Sequence, residues 1–374
     1  MLLAVISLAA AAPLQARALG GALIEVQSHG EADLGLRSGP WSAEIFTDTL
    51  SLKWAPEGEH GRSWLEVRGA AFAAGLMISP WWDDAPAPEM AMTASYLGLE
   101  GGTVRYLPFG LWAGGGAGFK YLTFGGRDET VVPVPGPHVM GGPLAAVGWW
   151  TRPVQVAVRG GVDLVQPLET VPGEGQWGLY GPVGAPVEPW IEGEALWRPR
   201  WLVAPRVELR GGMASGKGAA TAFRLGGSMP YQVPVTGFGW ARFWAESYGA
   251  ARVGVRVGSP DAGPGSGVGA EAVEMPKDAK VRLRGGVVAD LALFDAPPQM
   301  PGCPPESWDA CDLRVTQGQG AFGVGAQLEG RYKHGWAQVE GGYGATSGLA
   351  GLDAFTLMVR VGVDWVPLRK PSPG

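Results

Sequence analysis

Residues 355–365 read FTLMVRVGVDW, so that Phe355, Leu357, Val359, Val361, Val363 and Trp365 alternate with Thr356, Met358, Arg360, Gly362 and Asp364. Successive side chains of an extended chain point to opposite faces. This stretch therefore forms a strand with one wholly apolar face and one polar or small face. The same period of two recurs upstream. Phe322, Val324, Ala326, Leu328 and Tyr332 alternate with Gly323, Gly325, Gln327, Glu329 and Arg331. Val281, Leu283, Val287, Ala289, Leu291 and Leu293 alternate with Arg282, Arg284, Gly286 and Asp290, and Val154, Val156, Val158, Val162 and Leu164 with Gln155, Arg159, Gly161 and Asp163. Few segments lack Gly or Pro for ten residues, which leaves little room for helices. The fold class is all-β.

A soluble sandwich shows the same alternation, but two features favour a membrane. The strands run about 10–14 residues, whereas soluble strands average about 5–6 and membrane strands need about 9–11. The apolar faces also end in aromatics, at Trp54, Tyr332 and Trp365, as interfacial girdles do. Strands are predicted near 22–29, 42–54, 63–75, 92–106, 111–124, 138–150, 153–165, 188–197, 201–213, 246–257, 280–293, 320–332, 335–344 and 354–366. Their links alternate short and long, with one slip at 258–279. Short periplasmic turns against long surface loops are the outer-membrane signature. The expectation is a transmembrane antiparallel β-barrel of about 14 strands with both ends on the periplasmic side. Sixteen is the alternative if the N-terminal third holds another pair.

Composition agrees. The 374 residues include 62 Gly, 32 Pro and 17 Trp, only 17% are charged, and the mean hydropathy is +0.06. Gly is more than twice its usual share, without a collagen period. No run of 18 apolar residues is present to form a transmembrane helix. A net charge of −6 with no basic patch argues against nucleic acid as a partner. The N-terminal MLLAVISLAAAAPLQARA pairs an apolar run with an Ala16-Arg17-Ala18 cleavage site, although Leu2 stands where a basic n-region belongs. The resulting division is a signal peptide at 1–18, a barrel at 19–366 and a tail at 367–374. Cys303 and Cys311 lie in MPGCPPESWDACD; in an exported protein they are expected to form a disulfide that tightens a loop.

Little in the sequence points to catalysis. Gly211–Gly218 (GGMASGKG) superficially matches a phosphate-binding loop, but Gly218 replaces the required Ser or Thr and no helix follows, so a glycine-rich surface loop is expected. His29, His60, His138 and His334 stand singly at strand ends, and no His or Cys cluster has metal spacing. Neither a cofactor nor a metal is expected, and no catalytic residue is assigned. A barrel hydrolase is the least favoured reading. Arg252, Arg256, Arg282, Arg284, Asp290, Glu329, Arg331, Glu340, Arg360 and Asp364 fall on the polar faces of consecutive strands. They could line a pore. The favoured reading is that they pair across the lumen and stiffen the wall, because signs are mixed and adjacent strands supply partners.

The stretch 207–238, VELRGGMASGKGAATAFRLGGSMPYQVPVTGF, resembles the outer-membrane assembly and translocation superfamily that includes BamA and TamA. Phe223-Arg224-Leu225-Gly226-Gly227 matches the family's aromatic-x-x-Gly-Gly step. Val235-Thr236-Gly237-Phe238 matches its Val-Arg-Gly-aromatic loop tip, with Thr236 in place of the arginine. The resemblance covers about 205–366 and implies that the tip folds into the lumen and that Asp290 stands where the family's loop-binding aspartate does. With Thr236 that pair is lost unless Arg242 substitutes. The tip is then expected to be held weakly, chiefly by Phe238 and the Gly237 turn, and Thr236→Arg to strengthen it. Asp290 is expected to turn to Arg256, Arg282 or Arg284.

The family also carries periplasmic recruitment domains, and none is expected before the first strand of this sequence. The implied function is assistance in membrane-protein assembly or translocation, by lateral opening beside a short, polar first strand. Outer-membrane lipid, unfolded outer-membrane clients and separate recruitment subunits are the implied partners. The alternative is a passive pore or structural protein of the bacterial outer membrane.

Overall fold

The computed structural model describes residues 23–38, 41–46, 49–58, 60–70, 76–78, 81–82, 85–86, 92–126, 136–151, 153–169, 185–197, 199, 203–216, 223–226, 233–238, 243–258, 282–295, 319–332, 335–347 and 352–365. Almost all of these are extended. The long strands are β1 (Leu23–Ser38), β2 (Trp41–Phe46), β3 (Thr49–Trp54), β4 (Gly61–Ala70), β5 (Met92–Tyr106), β6 (Leu111–Gly126), β7 (His138–Trp150), β8 (Val154–Pro167), β9 (Val187–Trp197) and β10 (Val203–Ala214). A small hairpin follows, β11 (Phe223–Leu225) with β12 (Phe243–Ala245), and then β13 (Ser247–Gly258), β14 (Arg282–Asp295), β15 (Gln319–Tyr332), β16 (Gly335–Ser347) and β17 (Leu352–Trp365). Among the described residues no helix is long and apolar enough to cross a membrane.

All the long strands lie in one sheet of 17 strands. Two of that number, Glu57–Gly58 and Leu76–Ile78, are short additions beside β4 and β5. Each long strand pairs antiparallel with the next one in sequence, β10 meeting β13 across the inserted hairpin. The all-β reading holds. It differs in detail at the start, where β1 has 16 residues rather than the eight of 22–29. In addition, 42–54 is two strands joined at 47–48, with Phe46 opposite Thr49.

That extra reversal changes the topology. β1 pairs with β17 in parallel, from Leu23 opposite Leu352 to Leu36 opposite Trp365. Leu23 therefore lies at the end of the sheet that carries the long loops, and Trp365 at the end that carries the short turns. The first strand therefore starts at the opposite end of the sheet from where the last one finishes, which differs from the expected arrangement. The slip at 258–279 is real: Gly258 and Arg284 are partners at the short-turn end, so one long connection sits among the short ones.

Burial is inverted relative to a soluble protein. Leu209, Val253, Leu291, Leu328 and Phe355 expose 41–56% of their surface, and dozens of like residues share their face. Glu66, Glu208, Arg252, Arg284, Asp290 and Glu340 are buried on the other. Exposed apolar area on this scale marks a surface that does not meet water. The buried charges need partners, since an isolated charge out of water is costly.

Large rings on the polar face are accommodated by glycine. Trp64 faces Gly102, Trp112 faces Gly148, Trp190 faces Gly161 and Tyr248 faces Gly212, each a direct cross-strand pair. At Gly102, Gly148 and Gly212 a methyl group would collide with the ring, and at Gly161 it would lie tight against the Trp190 ring and strike Pro143 O. Part of the unusual glycine content has this physical cause.

Candidate functional site

The polar face between β13 and β16 is occupied by the chain itself. Phe223 pairs with Ala245 and Leu225 with Phe243, and Gly226 N–H donates to Val233 O at 3.0 Å. Gly226 and Gly237 have φ of +114° and +88°, a region that favours glycine. Leu225, Val233, Val235, Phe238 and Ala245 are buried and pack with Tyr248, Ala292, Phe294 and Ala321 of the wall. The segment around the Val235–Phe238 tip is thus a packed element.

Thr236 is the centre of the contact and is 1% exposed. Its backbone N–H donates to Asp290 Oδ2 at 2.7 Å. Its hydroxyl accepts from Arg252 Nη2 at 3.0 Å and donates to Glu340 Oε1 at 3.3 Å. Arg252 in turn donates from Nε to Asp290 Oδ1 at 2.7 Å and from Nη2 to Oδ2 at 2.8 Å. Arg252 and Asp290 are register partners on β13 and β14. Glu208 on β10 is the register partner of Arg252 on its other side and is itself clasped by Arg206 and Arg210.

The floor beneath Thr236 is made of four glycines. Gly323 lies opposite Gly344, and Gly325 opposite Gly342, on β15 and β16. A methyl group on Gly323 would overlap the Thr236 carbonyl, and one on Gly325 or Gly342 the Thr236 methyl. One on Gly344 would strike the Phe238 ring. The backbone of the tip lies against the wall because no side chain separates them.

Several expectations are corrected here. Asp290 is matched by Arg252, not by Arg256, Arg282 or Arg284. Arg284 instead approaches Glu329 at 3.9 Å, and Arg282 lies opposite Arg331 in the register. The tip is held by more than Phe238 and the Gly237 turn, because Arg252, Asp290 and Glu340 all bond to Thr236. Gly226, Val235, Thr236, Gly237 and Phe238 come together as described, whereas Gly227, Cys303 and Cys311 lie outside the described residues. The floor glycines were missed in the sequence, although two Gly-x-Gly runs at 323–325 and 342–344 were there to be read. Gly211–Ala214 are the end of β10, and Gly216 N–H donates to Glu246 Oε1 at 2.7 Å.

Further charges on the polar face are paired. Arg159 donates to Glu192 at 2.9 and 2.6 Å, and the Tyr248 hydroxyl donates to the same carboxylate at 3.0 Å. Glu66 accepts from Ser51 at 2.9 Å and pairs with Arg68 and Lys53. Such rows of matched charges brace neighbouring strands.

The chain is similar to CdiB from Escherichia coli, with a TM-score of 0.52 at 11% identity over 87% of this chain and 53% of that one. It shares that protein's fold. The chain spans about half the length of CdiB. A second likeness, to LpxR from Salmonella typhimurium, has a TM-score of 0.33 at 10% identity, covering 70% and 85% of the two chains. No family model matches the sequence. No curated protein matches it either.

Proposed function

We propose that this chain is a closed outer-membrane β-barrel that handles polypeptides, its lumen held shut on one side by residues 223–226, 233–238 and 243–245. The observation that carries this reading is the seating of Thr236 on the glycine floor, where wall and tip are matched atom to atom. A segment packed against buried charges is suited to a lumen with a closed resting state. The apolar face would meet lipid, since a sheet crossing a membrane must bury its own backbone polar groups and expose its apolar side chains.

Clients would enter at the junction of β1 and β17. A short, polar first strand does not support this, because β1 is long. Its parallel pairing does: among the described residues it is the one parallel pairing between long strands, and parallel ladders are slightly less stable per residue. Unfolded outer-membrane proteins and separate periplasmic recruitment subunits are the partners that fit such an edge.

The test is deletion of the gene followed by inventory of the outer membrane. Loss of other barrel or exported proteins supports the reading. A changed solute permeability with those proteins intact favours a passive pore.

A further inference from the structure

The turn between β5 and β6 carries a strained aromatic residue that touches little of its own protein. Phe109 has φ 61° and ψ 26° and is the one described non-glycine residue with positive φ. A bulky side chain is a genuine outlier there. It is also 90% exposed. The strain is imposed by the surroundings: Leu107 N–H donates to Leu111 O at 2.8 Å, and the Trp149 indole N–H donates to Phe109 O at 2.9 Å. Gly110 sits so close to Trp150 O that no side chain fits. Asn or Gly would suit this backbone better, so the Phe109 ring is explained by a contact outside the chain.

We propose that the Leu107–Leu111 turn is a lipid-interface anchor at the short-turn rim, with Phe109 as its inserted tip. Continuity identifies lipid as the occupant. Leu111 and Trp149 are cross-strand partners on the apolar face that also exposes Leu97, Leu99 and Val147. The indole bond to Phe109 O folds the turn toward that face rather than toward the polar one. Aromatic rings with one polar atom collect at the membrane boundary, and Trp149 is so placed.

This inference rests on the barrel reading, and one experiment separates the two. The full chain, with Cys303 and Cys311 changed to Ser, is labelled with an environment-sensitive fluorophore at Phe109→Cys. A second sample carries the label at Val158→Cys, on the apolar face within β8. Both are folded into phosphatidylcholine vesicles with bromine near the headgroup end of the acyl chains. The expected result is quenching of both labels by bromolipid, by about twofold at Phe109, with little quenching by aqueous iodide. Quenching at Val158 with a Phe109 label open to iodide overturns the anchor and leaves the barrel. Neither label sensing lipid overturns both. As a second measure, Phe109→Asn relieves the backbone yet is expected to slow insertion into vesicles severalfold; unchanged or faster insertion also overturns the anchor.

Discussion

Arg252 holds Asp290 through two guanidinium nitrogens, and the same Asp290 Oδ2 that takes Nη2 at 2.8 Å also takes the Thr236 amide at 2.7 Å. Wall bracing and tip docking therefore share one carboxylate. Removing it strands a buried cation and an amide together.

Asp290→Ala is expected to destabilise the folded protein by about 3–5 kcal/mol, the usual result of leaving one charge of a buried pair uncompensated. It is also expected to free the tip. Arg252→Ala should match it, and the double variant should lose less than the sum of the singles, as partners in one network do. Urea unfolding in detergent, with proteolysis of 228–240 as the measure of tip release, gives these quantities. Additive losses would show that the two residues act independently.

The glycine floor yields a contrast between neighbouring substitutions. Gly323→Ala and Gly342→Ala place a methyl group against Thr236, so each is expected to lift the tip at about 1–3 kcal/mol or more. Gly249→Ala, on β13, has nothing within 4 Å of its new carbon and should be neutral. Single-channel recordings in planar bilayers should show larger or longer openings for the first two variants only.

Thr236→Arg reverses its expected sign once the site is known. The Thr236 methyl already lies on Gly325 and Gly342, and Arg252 Nη2 is 3.0 Å from the hydroxyl. A second guanidinium meets both a full space and a like charge, so docking should weaken. Combining Thr236→Arg with Arg252→Ala should recover part of the loss, by returning one cation to Asp290. Thr236→Val, which keeps the shape, should cost about 1–3 kcal/mol through the unsatisfied polar groups it leaves. Tighter docking by the single arginine variant would overturn this account of the site.

The direction of β1 sets a further outcome. An epitope placed just before Leu23 should be reached by antibody on intact cells, and one placed after Trp365 only after permeabilisation. Equal behaviour of the two tags would contradict the parallel register of β1 with β17.

Much of the wall could be read in the sequence because the two faces of the sheet impose opposite demands on alternate residues. Where its side chains are described, the start of 355–365 repeats the pattern, with Phe355, Leu357 and Val359 exposed and Thr356 buried. The strand reversal within 42–54 was also legible: the apolar set moves from odd positions (Ala43, Ile45) to even ones (Leu50, Leu52, Trp54), as the pairing of Ile45 with Leu50 and Ala43 with Leu52 requires. The partner of Asp290 was not legible. Arg252 and Arg256 share a face of β13, and only the register with β14 selects between them. The floor has the same origin, since Gly323 and Gly344 become neighbours only through the pairing of β15 with β16.

The parallel junction has a kinetic side. Leu23 must find Leu352 across nearly the whole chain, and the entropy of closing so large a ring is met only after the antiparallel hairpins have formed between neighbours. Assembly should pass through a curled ribbon whose first and last strands are both open edges, at which a foreign strand competes with the chain's own end. The speed of that last step, rather than the stability of the finished wall, then governs how often the protein closes on itself instead of aggregating.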